Sequence, residues 1–383
     1  MKIGIFTHNY PSSIDNRKDA GGFIYDFAHE LSKKVSVYIH FTNFENKPIQ
    51  DTDIPLTILN FNLGKKPGNW NMFSPLSVFR SYRFLYEAKK SALEFVKKND
   101  LNFCLAAWAI PSGILVNHVK AKMQIPYGIW CLGSDINKYA TYPILRTFIK
   151  KALNEADIIF ANSFYLNTKI EHLTNRKSIF LPAATSAPQP KYLGKRKQNA
   201  KYSFLFIGRL EKIKGPDILI DACIALQKRN NNFIVYIGGG GSLRRQLEKK
   251  IMDYNLQNTV KFLGWVGQEQ CAKYMHMADC LIVPSRNESL PLVIVEAARA
   301  QLPVICTNVG DCPRIITTYN IGHIVPSNNP EKLADTMNKV MYEKGFLQKN
   351  SRDGFRRILQ EFDVKYSVLS FLKILKQNLH EKL

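Results

Sequence analysis

Residues 202–241 read YSFLFIGRLEKIKGPDILIDACIALQKRNNNFIVYIGGGG. An apolar run stops at Gly208, a short basic turn follows, a longer segment with periodic apolar residues comes next, and a second apolar run ends in four glycines. Short apolar runs bounded by turn residues read as buried strands, and the longer periodic segment reads as a helix. Strand, helix and strand in that order predict a parallel pair joined by a crossover helix. The alternation continues through SLRRQLEKKIMDYN, VKFLGW, QEQCAKYMHMA and DCLIVPS, with further strands expected at PVICTN (303–308) and HIVPSN (323–328).

The same grammar opens the chain: KIGIF, a polar loop, FIYDFAHELSKK, then VSVYIHF. FCLAAWA (103–109), YGIWCL (127–132) and DIIFAN (157–162) extend it as strand candidates. Between the two alternations PAATSAPQPKYLGKRKQNA is rich in Pro, Ala and base and has no apolar period, which marks a linker. The expected organisation is a first domain over 1–185, a basic linker over 186–201, a second domain over 202–360, and an amphipathic helix over 361–383 that crosses back to the first domain. In that helix Val364, Val368, Leu369, Leu372 and Leu375 recur at helical spacing. The fold class this predicts is α/β, two doubly wound Rossmann-like domains with a ligand cleft at their strand C-terminal ends.

A chain of 383 residues exceeds one ordinary core, which agrees with two domains. The opening MKIGIFTHNYP is too short for a secretory signal core, and no apolar run approaches 18 residues, so no spanning helix is expected. Seven cysteines with no CxxC pair read as reduced cytosolic thiols. The net charge of +22 suits nucleic acid, anionic lipid or phosphorylated small molecules. Basic against acidic residues number 23 and 14 over 1–190, five and none over 191–201, and 25 and 17 over 202–383, so the excess is spread along the chain. Neither an RNA-recognition signature nor a Cys/His finger accompanies it, and nucleic acid is not the expected partner.

Three glycine-bearing turns follow strands. Gly21-Gly22 enters a helix and has a plain reading as a flexible loop. In IGRLEKIKG (207–215), Gly208 allows close backbone approach, Arg209 offers a planar fork for phosphate, and Lys214 offers a point charge. A solvated basic turn is the plain alternative. IGGGGSLRRQL (237–247) presents Gly239 and backbone N–H groups at a helix start, which can hold an anion, but it lacks GxGxxG spacing. ESLPLVIVE (288–296) divides into a strand-end loop carrying Glu288 and a helix carrying Glu296. Between them the N–H groups around Leu292 and Val293 share the positive end of the helix dipole, where a diphosphate fits. Ionised carboxylates on either side suit hydroxyl groups, since they only accept hydrogen bonds.

With that arrangement in place, the chain resembles the retaining GT-B glycosyltransferases of family four, also termed glycosyltransferase group 1. Glu288 and Glu296 match the E-x7-E motif. FIGRLEKIKGPDILIDA, GGGGSLRRQLE, VKFLGWV, ADCLIVPSRNESLPLVIVEAARAQLPVICTNVGDCPRII and IGHIVPSNNPEKLA follow in family order. The Gly21-Gly22 loop, IPYGIWCLGSDINKY and EADIIFANS resemble the acceptor domain more weakly. The resemblance implies that Glu296 binds the ribose of a nucleotide-sugar donor, Glu288 contacts the transferred sugar, and Arg209 and Lys214 neutralise the leaving diphosphate. It further implies N–H donation from Leu292 and Val293, donor contacts at Gly208 and Gly239, and a diphosphate and acceptor loop at Gly21, Gly22 and Asp135. Retention without a metal or other cofactor is the implied mechanism, the nucleotide-diphosphate sugar being a co-substrate.

Two positions depart from the family pattern. Leu132 in LGSD stands where many members have histidine, and Asp135 or His8 could take over that contact, although each also has a structural reading. Arg314 replaces a family glutamate in GDCPRII. Asp51-Thr52-Asp53 matches the metal-binding DxD of a different glycosyltransferase fold but reads better as a solvated loop.

On the acceptor side, WNMFSPLSVFRSYRFLYEAKK (70–90) and YPILRTFIKKAL (142–153) mix aromatic and basic residues. Such helices can lie on an anionic membrane or pack inside the first domain, and both readings stay open. The expected function is a cytoplasmic retaining hexosyltransferase, peripheral on the inner face of the cell membrane if those helices dock there. It would use a nucleotide sugar and a polysaccharide or lipid-linked glycan acceptor. A nucleotide-sugar epimerase of the same fold and a basic binding protein with an inactive site are the alternatives.

Overall fold

The computed structural model describes residues 1–11, 21–44, 53–61, 75–184, 201–343 and 349–379, and forms two compact units, Met1–Ser186 with Asp363–Leu383, and Ala187–Phe362. The linker expected at 186–201 lies outside the described residues, apart from Lys201. So do Asp51 and Thr52 of the DxD match.

In the first unit seven parallel strands run β1 (Lys2–Thr7), β2 (Ser36–Asn43), β3 (Leu56–Asn60), β4 (Phe103–Ala107), β5 (Tyr127–Cys131), β6 (Ile158–Ala161) and β7 (Ile179–Phe180). Their order in the sheet is β3-β2-β1-β4-β5-β6-β7. The chain starts in the middle, moves outward to β3, and returns to place β4 beside β1, so the order reverses between those two strands. Helices α1 (Gly22–Ser32), α2 (Pro75–Asn99), α3 (Ser112–Met123), α4 (Ser134–Asn137), α5 (Pro143–Glu155) and α6 (Phe164–Thr174) connect them. Residues of α2, α3, α5 and α6 pack in one core cluster and residues of α1 in the other. Strands covered on both faces need apolar side chains throughout, which is why β4, β5 and β6 are buried at every position.

The second unit holds β8 (Tyr202–Ile207), β9 (Phe233–Gly238), β10 (Val260–Gly264), β11 (Cys280–Val283), β12 (Val304–Thr307) and β13 (Gly322–Val325), in the order β10-β9-β8-β11-β12-β13. Its order reverses between β8 and β11. Helices α7 (Pro216–Gln227), α8 (Arg244–Asp253), α9 (Gln268–Met277), α10 (Leu292–Arg299), α11 (Cys312–Tyr319), α12 (Pro330–Tyr342) and α13 (Lys349–Glu361) alternate with them. Pro216 takes the first position of α7, where its missing N–H costs nothing, after Gly215 in the left-handed region at φ 68°.

A break at 362–363 separates the tail helix from α13. α13 stops at Glu361, buried Phe362 follows, and Asp363 accepts from the N–H of Lys365 to open α14 (Val364–Leu379). α14 packs on α1, and Val364, Val368, Phe371, Leu375 and Leu379 enter the first unit's core. Leu369 is 57% exposed. The stripe through residues 364, 368, 371 and 375 leaves position 369 about 100° away from 368, on the outside. The strand expected at 103–109 ends two residues early because Trp108 adopts φ 71°, which no strand continues through. β3 was not foreseen as a strand.

Candidate functional site

In open α/β sheets ligands bind beyond the strand C-terminal ends where the order reverses. In the second unit that point lies between β8 and β11. The loop after β8 carries Gly208, Arg209 and a one-turn 3-10 helix at Lys212–Lys214; the loop after β11 carries Ser285, Arg286 and Glu288. Lys214 Nζ donates to Glu288 Oε1 at 2.5 Å, and Ser285 Oγ donates to the same oxygen at 2.8 Å. The Glu288 side chain is only 9% exposed, against 27% for Lys214. Ser285 is itself fixed, since its carbonyl accepts from Thr307 Oγ1 at 2.5 Å.

Both loops are held by backbone contacts that admit no side chain. A Cβ on Gly215 would lie 2.0 Å from the Pro284 carbonyl oxygen, and one on Gly310, at φ 55°, would lie 2.0 Å from the Glu288 carbonyl oxygen. Arg286 ties the two loops together. Its guanidinium forms two 2.7 Å bonds to the Asp217 carboxylate and donates at 2.6 Å to the Lys212 carbonyl, and its own N–H donates to Ile213. Desolvation acts upward on Asp217, but the Arg286 fork outweighs it and holds the carboxyl below the ordinary range.

The glycine turn after β9 joins the same edge. Gly239, at φ 132°, presses against the Gly208 carbonyl, where a Cβ would come within 1.9 Å, and its N–H donates to Gly264 at 2.7 Å. Ser242 gives two hydrogen bonds to Glu211, which lower that carboxyl's pKa. Arg209 is exposed, and its charge acts on Glu211.

Helix α10 starts at Leu292 after Pro291, which supplies no capping side chain. Ile294 N–H returns to the Pro291 carbonyl, while the N–H groups of Leu292 and Val293 have no partner among the described residues. Glu296 lies on the second turn, with the Cys271 thiol of α9 at 3.9 Å from its Oε2. Burial raises the Glu296 carboxyl above the ordinary range, against the pull of Arg299 and Cys271, and the same surroundings push the Cys271 thiol up to about 12. Cys312, hydrogen-bonded to Cys306 and buried, has its thiol pushed far up, so it stays neutral near the Lys214–Glu288 pair.

The remaining candidates belong to the first unit. Gly21 takes φ 123° immediately before α1, and a Cβ there would meet the Asn9 carbonyl at 2.6 Å; Gly22 is the first residue of α1. Asp135 is fully buried and accepts from the N–H groups of Ala109, Gly133 and Ile136 at 2.9–3.1 Å, which ties the loops after β4 and β5 together. Burial still raises its pKa despite those donors. Leu132 packs partly buried against the core shared with α1 and α14. His8, just after β1, has its ring 4.6 Å from Trp108; burial pulls its pKa down to about 4, and its Nδ1 has no hydrogen-bond partner among the described residues. Arg314 is exposed on α11.

The structure thus brings Lys214 to Glu288, Gly208 to Gly239, and Leu292, Val293 and Glu296 onto one helix. Sequence reasoning missed Ser285, Arg286, Asp217 and Gly310. Only Gly310, a glycine three residues past the end of β12, carried a local signal.

Residues 192–357 match the sequence model of the family described as glycosyl transferases group 1. An uncharacterized glycosyltransferase of Methanocaldococcus jannaschii is 27% identical over 298 residues, covering 76% of this chain and 79% of that one. A putative teichuronic acid biosynthesis glycosyltransferase of Bacillus subtilis is 26% identical over 286 residues, covering 71% and 70%. The fold is similar to that of sucrose-phosphate synthase from Thermosynechococcus elongatus, with a TM-score of 0.79 at 16% identity over 98% of both chains, a likeness of the GT-B fold alone. The second unit thus carries the match to group 1 glycosyltransferases, and the chain is similar to a glycosyltransferase over 76% of its length.

Proposed function

We propose that the chain is a retaining, metal-independent hexosyltransferase that moves a sugar from a nucleotide-diphosphate donor to a polysaccharide or lipid-linked glycan. The observation that carries this reading is the Lys214–Glu288 pair at the β8/β11 reversal. A cation there can meet a departing diphosphate, and a carboxylate can meet a sugar hydroxyl. The free N–H groups of Leu292 and Val293 and the dipole of α10 add fixed positive potential. Arg209 supplies a second cation from the same loop as Lys214. Gly208 and Gly239 let the backbone approach the donor, and Glu296 accepts from the ribose hydroxyls.

In the reaction the bond from the sugar's anomeric carbon to the diphosphate breaks and its electron pair leaves with the diphosphate. The acceptor oxygen bonds to the same face of that carbon, and its proton passes to a phosphate oxygen. Lys214 and Arg209 stabilise the charge that develops on the leaving group, which is usually the largest contribution in such a site. The first unit takes the acceptor, with the bare backbone at Gly21 and Gly22 on that side and Asp135 fixing the neighbouring loops. The similarity to a putative teichuronic acid biosynthesis glycosyltransferase of Bacillus supports a cell-surface polysaccharide as the acceptor class. Seven free buried cysteines are consistent with a cytoplasmic location.

The test is incubation with a panel of nucleotide sugars, with and without EDTA, following nucleotide diphosphate release and the anomeric configuration of the product. Release unaffected by chelation and a retained configuration are expected. No release and no binding with any donor would sink the enzyme reading; inversion or a metal requirement would overturn the mechanism.

A further inference from the structure

We propose that the outer faces of α2 and α5 form one docking surface for an anionic lipid membrane. Each helix is two-sided. On α2, Phe84, Ala88, Ala92 and Phe95 are buried against the sheet, while Phe79, Tyr82 and Tyr86 are 63%, 72% and 66% exposed. On α5, Ile149, Ala152 and Leu153 are buried, while Ile144 and Phe148 are 67% and 45% exposed. Spacings of three and four residues put each exposed set on one helix face. Scattered surface apolar residues need no explanation, but two aromatic stripes on helices of one layer do.

The two stripes also lie at the same end of that layer. α3 packs between α2 and α5, and all three cover the same side of the sheet. α2 ends beside the start of β1, where Lys2 pairs with Asp100, so its N-terminal half lies toward the strand C-terminal ends. α5 begins at that same edge, after β5 and α4. Phe79, Tyr82, Tyr86, Ile144 and Phe148 therefore face outward from neighbouring parts of one surface.

Charge selects the occupant. α2 and α5 together carry nine basic residues and three acidic ones, and Arg80, Arg83, Lys90, Arg146, Lys150 and Lys151 are all exposed. Protein-docking patches have charge-poor centres, whereas aromatic rings interleaved with lysine and arginine match the headgroup level of an anionic bilayer. Among the described residues no helix is long and apolar enough to cross a membrane, so the association would be peripheral. This surface belongs to the first unit and the Lys214–Glu288 pair to the second, and the proposal does not depend on sugar transfer.

The full chain should float with vesicles of phosphatidylcholine and phosphatidylglycerol and stay behind with phosphatidylcholine alone. Combined Phe79→Ala, Tyr82→Ala and Tyr86→Ala should lower vesicle partitioning by more than roughly tenfold. Arg146→Glu, Lys150→Glu and Lys151→Glu should lower it roughly fivefold or more for each charge. Met252→Ala with Tyr254→Ala, exposed on the second unit, should change nothing. Far-ultraviolet circular dichroism and the melting temperature keep folding in view, and Ile144→Ala with Phe148→Ala gives an independent variant. Failure to float with anionic vesicles overturns the proposal, as does equal flotation of wild type and α2 and α5 variants. Self-association in solution that these same substitutions abolish, without vesicle binding, would assign the surface to a protein partner instead. Loss of nucleotide-sugar turnover with flotation intact would count against the catalytic reading alone.

Discussion

Lys214 and Glu288 meet at 2.5 Å although they are 74 residues apart, one reaching from the turn after β8 and the other from the loop after β11. The pair joins the two loops that flank the point where the strand order reverses, so a diphosphate bound there would have to share Lys214 with Glu288. Lys214→Ala should therefore lower kcat by about 100- to 1,000-fold, the usual loss for one donor aimed at developing charge, with a smaller change in donor affinity. Glu288→Gln should also lower kcat, and the double variant should lose less than the product of the two. Steady-state kinetics of all three check this; multiplicative losses would mean that the pair does not act as a unit.

Glu296 should govern binding more than turnover. Replacing it with alanine should weaken donor binding roughly 10- to 100-fold, as expected for hydrogen bonds to a charged acceptor. Isothermal titration with the nucleoside diphosphate measures it directly.

The same residue gives a pH dependence whose sign is fixed. Burial favours the neutral carboxyl, so the folded chain keeps this proton to higher pH than the unfolded chain, whose value is about 4.3. The stability it contributes is complete below the unfolded value and is lost as pH rises through the folded one. Donor affinity should rise over that same window, because the ionised form accepts hydroxyl hydrogen bonds. Glu296→Gln should flatten both trends, and chemical denaturation and titration across pH 4 to 8 would reveal a profile that stays unchanged.

Gly310 should tolerate no side chain. At φ 55° with the Glu288 carbonyl in its path, alanine adds roughly 1–3 kcal/mol of backbone strain and a 2.0 Å clash that moves the Glu288 loop. Gly310→Ala should reduce kcat while the second unit still folds; full activity would show that the loop yields without consequence.

The alternation of β8, α7 and β9 was legible because parallel strands covered on both faces must be apolar at nearly every position, and glycine marks where they stop. The division of ESLPLVIVE between a loop and α10 was legible for the same reason. What joins those elements was not. Arg286 finds Asp217 across 69 residues, and nothing in SRNES distinguishes a clamp from a solvated arginine. β3 escaped because LTILN has half-exposed positions and no continuous apolar run. In the tail, helical spacing picked out Leu369 and passed over Phe371, and only the shape of the core on α1 selects Phe371.

Arg286 should act through Lys214. Its planar fork holds Asp217 and the Lys212 carbonyl at once, a geometry that an ammonium cannot reproduce. Arg286→Lys should therefore behave like Arg286→Ala, losing roughly 1.5–3 kcal/mol of stability and lowering kcat, since the turn that aims Lys214 loosens. Recovery of kcat by the lysine variant would argue that only the charge matters.

The two neighbouring apolar residues of α14 separate packing from pattern. Phe371 is fully buried, with its ring 5.4 Å from the rings of both Phe27 and Phe160, whereas Leu369 is 57% exposed. Phe371→Ala leaves a cavity between α1, α14 and the sheet and should cost about 3–5 kcal/mol. Leu369→Ala removes nothing from the core and should stay within about 0.5 kcal/mol of wild type. Urea denaturation monitored by far-ultraviolet circular dichroism measures both. Because α14 completes the core of the first unit, the Phe371 loss should appear in that unit's transition while donor binding by the second unit persists at low urea. A larger loss for Leu369→Ala would mean that α14 is rotated by about one residue on the sheet.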